Sequence, residues 1–317
     1  MAATNRNSDL LSPTLGISIG TLGLLSNLAN TLVFCRHGVR DGVSLTLLSL
    51  SLSDSLTLVF GLASAWCHII DILGFRQGVV FALDPLVYWP KLSIASSGFY
   101  QISVDTTVFL TLERFLCVVF PFHFKHLITL KRAYVILIFI YFYEIIIHVL
   151  VIYPNVYGLP TTSLWRNIST VTNFIYYKII PYLRLVCIAI ATVNIIIALR
   201  NSSKLFHRND TTTVKSLSTT GQRLREKKKS LSLKHIRVMK IVLALASLCL
   251  ICNTVQYGLV YVINGVDQTV YYVISVVIFT SLIIHCSASV VVYLAFNTPY
   301  RNTCRAMFLC RETPPTK

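Results

Sequence analysis

The sequence predicts an all-α membrane protein, a seven-transmembrane helix bundle followed by a short amphipathic eighth helix. Of its 317 residues, 55% are hydrophobic and 13% are charged, whereas a soluble domain carries about 25% charged residues. Apolar runs also recur that reach the roughly 20 residues needed to cross a bilayer core. Because backbone groups in lipid must pair within their own segment, long apolar runs predict helices.

Seven segments have the length and composition of spanning helices. They cover about 13–35, 44–67, 86–119, 133–153, 170–199, 239–263 and 268–296. The third is the least uniform, because Lys91 and Asp105 interrupt it. We therefore predict an extracellular N-terminus at 1–12, a transmembrane domain at 13–296 and helix eight with a tail at 297–317.

Basic residues are distributed unevenly between the predicted connections. Helices one, three and five are followed by basic segments, and with the C-terminal tail these hold 22 of the 28 lysines and arginines. The positive-inside rule then places the N-terminus outside and the C-terminus in the cytosol, as in a multi-pass plasma-membrane protein. The net charge of +16 is concentrated in the predicted third cytoplasmic loop, about 200–238. This charge indicates the topology of the chain and contact with anionic membrane lipids. The more specific alternative is a contact surface for an intracellular partner. The charge does not indicate nucleic-acid binding.

Enzyme and cofactor motifs are missing. The sequence has no HExxH, GxSxG or paired-aspartate signature, so we expect neither an enzyme nor a cofactor. The nine cysteines lie in apolar runs or beside basic segments, which gives little support for a disulfide framework or a zinc site.

Several polar landmarks stand at fixed intervals along the predicted helices. Glu113-Arg114-Phe115 ends helix three, with Pro121 beyond it. Asp54 lies in the middle of helix two, where a carboxylate is costly and therefore a functional candidate. Asn27 lies in helix one and Tyr293 near the end of helix seven.

This pattern resembles the rhodopsin-like G-protein-coupled receptors over the whole chain. The resemblance implies a receptor that passes binding of an extracellular ligand to a heterotrimeric G protein. It implies coupling and activation roles for a set on the cytoplasmic side: Glu113, Arg114, Phe115, Tyr293 and Arg237. It also implies a polar core, which is either a sodium or water cluster or a hydrogen-bonded cluster without an ion, at Asn27, Asp54, Ser103 and Ser289.

The resemblance places a ligand pocket between helices three, five, six and seven. The implied lining is Ser96, Ser97, Tyr100, Gln101, Asn173, Tyr177, Gln256, Tyr257 and Phe279. Amine receptors carry an aspartate where Ser96 stands, so an aminergic ligand is disfavoured. We expect a small molecule, with a short peptide as the alternative within this fold and a transporter or channel as the alternative from another class.

The chain departs from the family pattern in helices six and seven. In helix six, Cys252-Asn253-Thr254-Val255 stands where the family has Cys-Trp-x-Pro, and in helix seven Ser289-Val290 stands where it has Asn-Pro. The two cysteines that form the family's usual extracellular disulfide are absent. A narrower resemblance, in phrases such as His37-Gly38-Val39-Arg40-Asp41, is to the chemosensory-type branch expanded in gastropod molluscs.

Three ionisable residues fall inside predicted spans and three positions are candidates for modification. Because an intramembrane charge needs a partner, we predict that Arg184 pairs with Asp105 or Glu144, as a structural ion pair. Asn167 begins a glycosylation sequon in the predicted second outside loop, and Cys304 and Cys310 after helix seven are palmitoylation candidates.

Overall fold

All the regular structure in the described part of the chain is helical. The computed structural model describes residues 6–39, 41–77, 84–120, 128–152, 162–212, 219–262, 268–296 and 298–308. Among these residues there is no β-strand.

The described residues form eight helices. The first three are α1 (Arg6–His37), α2 (Gly42–Gln77) and α3 (Pro85–Val119). Helix α4 (Leu130–Ile146) continues as a π-helical stretch, Ile147–Ile152. Helix α5 comprises Ser163–Phe174, a π-helical stretch at Ile175–Ile179, and Ile180–Thr212. Helix α6 is Thr219–Val262, α7 is Gln268–Ser287 followed after one turn residue by Ser289–Phe296, and α8 is Thr298–Phe308.

Six of these helices are long and apolar enough to cross a membrane: α1, α2, α4, α5, α6 and α7. Their outward faces carry large hydrophobic side chains exposed in the isolated chain, among them Leu22, Phe139, Ile251 and Val291. Apolar exposure on this scale has no counterpart in a monomeric soluble domain. The chain is therefore a multi-pass membrane protein.

Helix α3 differs from these six because it is polar. It contacts α2, α4, α5, α6 and α7, so it lies at the centre of the bundle. Most of its serines and threonines, including Ser96, Ser103, Thr107 and Thr111, are buried. A helix surrounded by other helices can carry polar groups that a lipid-facing helix cannot, because neighbouring helices satisfy them.

Two apolar clusters lie along the bundle. One, around Leu110 and Tyr293, draws on α1, α2, α3, α6, α7 and α8. The other, around Tyr100 and Cys249, joins α2, α3, α5, α6 and α7. Helix α8 is held to the first cluster by the buried Tyr300 and by Cys304.

Two of the predicted connections contain helix in the structure. The predicted second outside loop is helical from Ser163 onward, so Asn167 lies on an exposed helical turn. The predicted third cytoplasmic loop is largely helical in backbone, because α5 runs to Thr212 and α6 starts at Thr219. Lysine, arginine, glutamate and leucine are good helix formers, so the charged segment continues both helices; its side chains between 201 and 235 lie outside the described part of the chain.

Candidate functional site

A hydrogen-bonded cluster joins α1 to the break in α7. Asn27 Nδ2 donates to the carbonyl of Cys286 at 2.6 Å, and Ser289 Oγ donates to Asn27 Oδ1 at 3.1 Å. Asn30 Nδ2 donates to Ser289 Oγ at 3.2 Å. The α7 helix is interrupted between Cys286 and Ser289, at Ala288. A side chain that inserts into the backbone hydrogen bonds of a helix is a known cause of such breaks. The bond from Asn27 to the Cys286 carbonyl therefore explains the break in α7, which contains no proline at this point.

The same cluster reaches α8 through one phenol. The hydroxyl of Tyr300 donates to Asn30 Oδ1, and both residues are buried. Burial raises the pKa of Tyr300, so the phenol stays protonated and remains a donor. Helix α8 is thereby tied to α1 as well as to the apolar cluster around Leu110.

Asp54 and Ser103 form a separate contact between α2 and α3. Ser103 Oγ donates to Asp54 Oδ1 at 2.5 Å, and both side chains are buried. Ser289 bonds to Asn27 and Asn30 instead of Asp54. The four predicted core residues therefore divide into two groups, Asn27 with Ser289 and Asp54 with Ser103.

Glu113 and Arg114 form a buried ion pair at the end of α3. Arg114 Nη2 lies 3.1 Å from Glu113 Oε1, and both residues are buried. Gly42, at the start of α2, lies close by, since a Cβ there would come within 3.1 Å of Glu113 Oε1. A side chain at position 42 would thus press on the carboxylate that holds the arginine.

The other predicted coupling residues lie at the same end of the bundle. Tyr293 is buried against Phe34, with ring centroids 5.3 Å apart, in the apolar cluster that also holds Leu110. Phe115 and Arg237 are half-buried. Pro121 lies outside the described residues.

Arg184 is bonded to both carboxylates, which confirms the predicted pairing. Its Nε lies 2.6 Å from Asp105 Oδ1 and its Nη2 lies 2.7 Å from Glu144 Oε1. Nη2 also donates to Asp105 Oδ2 at 2.8 Å, so the contact with Asp105 is bidentate. One arginine thus joins α3, α4 and α5 near the middle of the bundle.

Neutral side chains complete this ion network. Gln101 Oε1 accepts from Arg184 Nη1, and the hydroxyl of Tyr176 donates to Glu144 Oε2. Arg184 and Glu144 each have at least two polar partners, and both oxygens of Asp105 contact Arg184. Additional hydrogen bonds of this kind reduce the penalty for burying an ion pair. Counting formal charges, two carboxylates face one guanidinium.

Two of the predicted pocket residues, Tyr100 and Gln101, form hydrogen bonds to side chains of other helices. Tyr100, buried on α3, donates to Oδ1 of Asn253 on α6 at 3.2 Å, and Gln101 bonds to Arg184. Among the other predicted residues, Gln256 is buried, and Asn173 and Tyr257 are half-buried. The polar contacts therefore gather where α3, α5 and α6 meet.

The remaining predicted pocket residues point elsewhere. Ser96 donates to the carbonyl of Thr57 on α2 at 2.9 Å, and Ser97 donates to its own helix at Ile94. Tyr177 is exposed on α5. Phe279 packs against Gly16 of α1 and against the apolar cluster around Tyr100 and Cys249.

Sequence reasoning did not select three residues that take part in these contacts. Asn253, noted only as a departure from the family motif, links α6 to α3. His285 stacks edge-on against Tyr100 with ring centroids 5.4 Å apart, and Tyr176 holds Glu144. A buried polar side chain within an apolar run was the available signal for Asn253 and His285.

The residues predicted to be modified differ in solvent exposure. Asn167 is exposed on α5, and Cys304 is half-buried against the apolar cluster around Leu110. Cys310 lies outside the described residues. Cys249 and Cys252, although spaced as Cys-x-x-Cys, are buried free thiols, and within the described ranges no group of three metal-binding side chains occurs.

Neither a scan against protein-family models nor a search of curated proteins finds a match for this chain.

Proposed function

We propose that this protein is a G-protein-coupled receptor with seven spanning helices, α3 being the seventh. In this proposal it lies in the plasma membrane with its N-terminus outside and its C-terminus in the cytosol. The central position of α3, in contact with five other helices, supports a spanning role. Basic residues are in excess in the connections that lead into α2, α4 and α6, and this excess supports the orientation.

The observation that carries the proposal is the buried ion pair of Glu113 and Arg114. An arginine held by an adjacent carboxylate at the end of a central helix can be released when the surrounding helices move. Free, its guanidinium offers several fixed donors to the backbone carbonyls of a docked protein. The neighbouring Tyr293 and the helices that pack around it supply the parts that would move.

Ligand binding is proposed where α3, α5 and α6 meet, in the region of Tyr100, Gln101 and Asn253. A ligand that contacts these helices better in one arrangement shifts the population toward that arrangement. Polar groups that converge within an otherwise apolar bundle suit a small molecule. A chemosensory ligand is the narrower form of the proposal.

The test is nucleotide exchange with purified components. The protein in lipid nanodiscs is mixed with heterotrimeric G proteins of several classes, and loading of a non-hydrolysable GTP analogue is measured across a library of small odorant-like and water-soluble molecules. We expect at least one compound to raise the loading rate, and Arg114→Ala to abolish the response. The matched control is Arg166→Met, which removes an exposed arginine at the opposite end of the bundle.

The competing class is a transporter, which the surplus carboxylate in the ion network favours, since intramembrane carboxylates also serve as proton relays. Uptake or current in vesicles without G protein, lost in Asp105→Asn and unaffected by Arg114→Ala, would support that class and reject the receptor.

A further inference from the structure

A cavity of about 320 Å³ lies between α3 and α4. It is distinct from the region proposed for the receptor ligand, since Tyr100, Asn253 and Tyr257 do not line it. Its walls are almost wholly apolar: Ile94, Ala95, Phe99, Ile102, Ile145 and Val149. A cavity of this composition takes hydrocarbon in preference to a polar molecule.

The cavity faces the lipid side of the bundle. Ile145 and Val149, which form its α4 wall, are 47% and 58% exposed in the isolated chain. Gly98 forms part of the α3 wall, and a Cβ there would come within 3.2 Å of the His148 ring. The missing side chain at Gly98 therefore lets His148 settle against α3 between the two walls.

One end of the cavity carries a positive charge. Lys91 lines it, near the start of α3 and about 17 Å along the helix from Ile102 at a rise of about 1.5 Å per residue. Its Nζ lies 5.5 Å from the centroid of the Tyr88 ring. Tyrosines and lysines at a helix end mark the membrane interface, so this end lies at headgroup depth.

The other end is closed by polar residues that are already engaged. The carboxylate of Glu144 is bonded to Arg184 and Tyr176, and His148 Nδ1 lies 2.9 Å from the carbonyl of Glu144. The positive charge that lines the cavity at its opposite end is that of Lys91.

We propose that this cavity binds a single free fatty acid from the membrane, with its carboxylate at Lys91 and its chain between α3 and α4. The volume is near the lower bound of ligand pockets, about 300 Å³, which suits one chain better than the two chains of a phospholipid. The cation at headgroup depth selects an anionic head, and the apolar walls accommodate the tail. The proposal requires insertion in a membrane and does not depend on signalling.

The test is photolabelling of the full chain in nanodiscs of zwitterionic phospholipid. The probes are palmitic acid with a diazirine near its terminal carbon, the methyl ester of the same compound, and a phosphatidylglycerol carrying the same labelled chain. Labelled peptides are mapped by mass spectrometry. We expect the free acid to label peptides containing Phe99–Ile102 or Ile145–Val149 about tenfold more than the ester does, which is the ratio for loss of one charge-assisted contact. The free acid should also label these peptides more than the phosphatidylglycerol does.

Variants test the two halves of the proposed site. Ala95→Phe fills the cavity and should abolish labelling by the acid, and Lys91→Gln should reduce it to the level of the ester. Cys187→Phe enlarges a lipid-exposed position on α5 and should change nothing. If Ala95→Phe does not fold, Lys91→Gln carries the test alone.

Equal labelling by acid and ester, or acid labelling unchanged in Lys91→Gln, would overturn the proposal and leave ordinary lipid contact. Stronger labelling by the phosphatidylglycerol than by the acid would overturn the choice of a free fatty acid. These outcomes are independent of nucleotide exchange.

Discussion

Arg184 contacts two carboxylates that lie on two different helices. It holds Asp105 with two hydrogen bonds and Glu144 with one, and only 8% of its side chain is exposed. The planar guanidinium is suited to this, because it presents several donors in a fixed geometry. A lysine at this position would offer one compact ammonium group to two carboxylates on different helices.

Removal of Arg184 should therefore destabilise the protein strongly. Arg184→Met leaves two carboxylates facing each other without a cation, and the cost of breaking a buried pair in this way is about 3–5 kcal/mol. Asp105→Asn leaves one carboxylate with one guanidinium and should have a much smaller effect. Apparent melting temperatures in nanodiscs measure both, with Arg166→Met as the exposed control.

A melting temperature for Arg184→Met equal to that of Arg166→Met would show that the network contributes no stability. It would also remove the reason for regarding the network as structural.

At the scale of helices, α3 determines how many times the chain crosses the membrane. Composition alone finds six spans and omits α3, because serines, threonines, Gln101 and Asp105 lower its hydropathy. The packing explains the omission, since α3 is surrounded by five helices and its polar groups bond to them, as Ser96 does to α2 and Tyr100 to α6. A central helix does not have to be apolar on all sides.

Two cysteine substitutions decide whether α3 crosses. Leu86 and Leu130, both exposed, lie at the beginning of α3 and of α4, and neither is a capping residue. We expect a membrane-impermeant maleimide to label Leu86→Cys in intact cells and Leu130→Cys only after permeabilisation. The unsubstituted protein gives the background from the native cysteines.

Labelling of both variants from the same side would mean that α3 does not cross. The seven-span topology, and with it the proposed receptor, would then be wrong.

The helices were more predictable from sequence than the contacts between them. All seven predicted apolar segments fall on helices, because run length and backbone pairing in lipid are local properties. The pairing of Arg184 was also predictable, since a buried charge requires a partner. The lining of the ligand pocket was not predictable from sequence. That Ser96 faces α2 and Phe279 faces α1 depends on the rotation of each helix about its own axis, which apolar runs do not specify. The helical continuation of the basic segment follows from its high helix propensity; its charge, which indicates topology, carries no information about backbone conformation.

On the scale of the whole molecule, polar contacts run from one end of the bundle to the other. The ion network joins α3, α4 and α5, the Asp54–Ser103 contact joins α2 and α3, and the asparagine cluster joins α1, α7 and α8. The Glu113–Arg114 pair lies beyond these, at the end of α3. In the proposed signalling, a change in the relative positions of these helices removes the restraint on Arg114.

Basal nucleotide exchange by Glu113→Gln tests this account most directly, because it requires no ligand. The amide cannot neutralise Arg114, so the guanidinium is released and the active arrangement gains population. We predict that Glu113→Gln raises basal loading of a GTP analogue on a responsive G protein by about tenfold, equivalent to roughly 1.4 kcal/mol. The double variant Glu113→Gln, Arg114→Ala should return to the unstimulated level. Exchange in Glu113→Gln indistinguishable from that of Arg166→Met, across every class of G protein tested, would contradict the account.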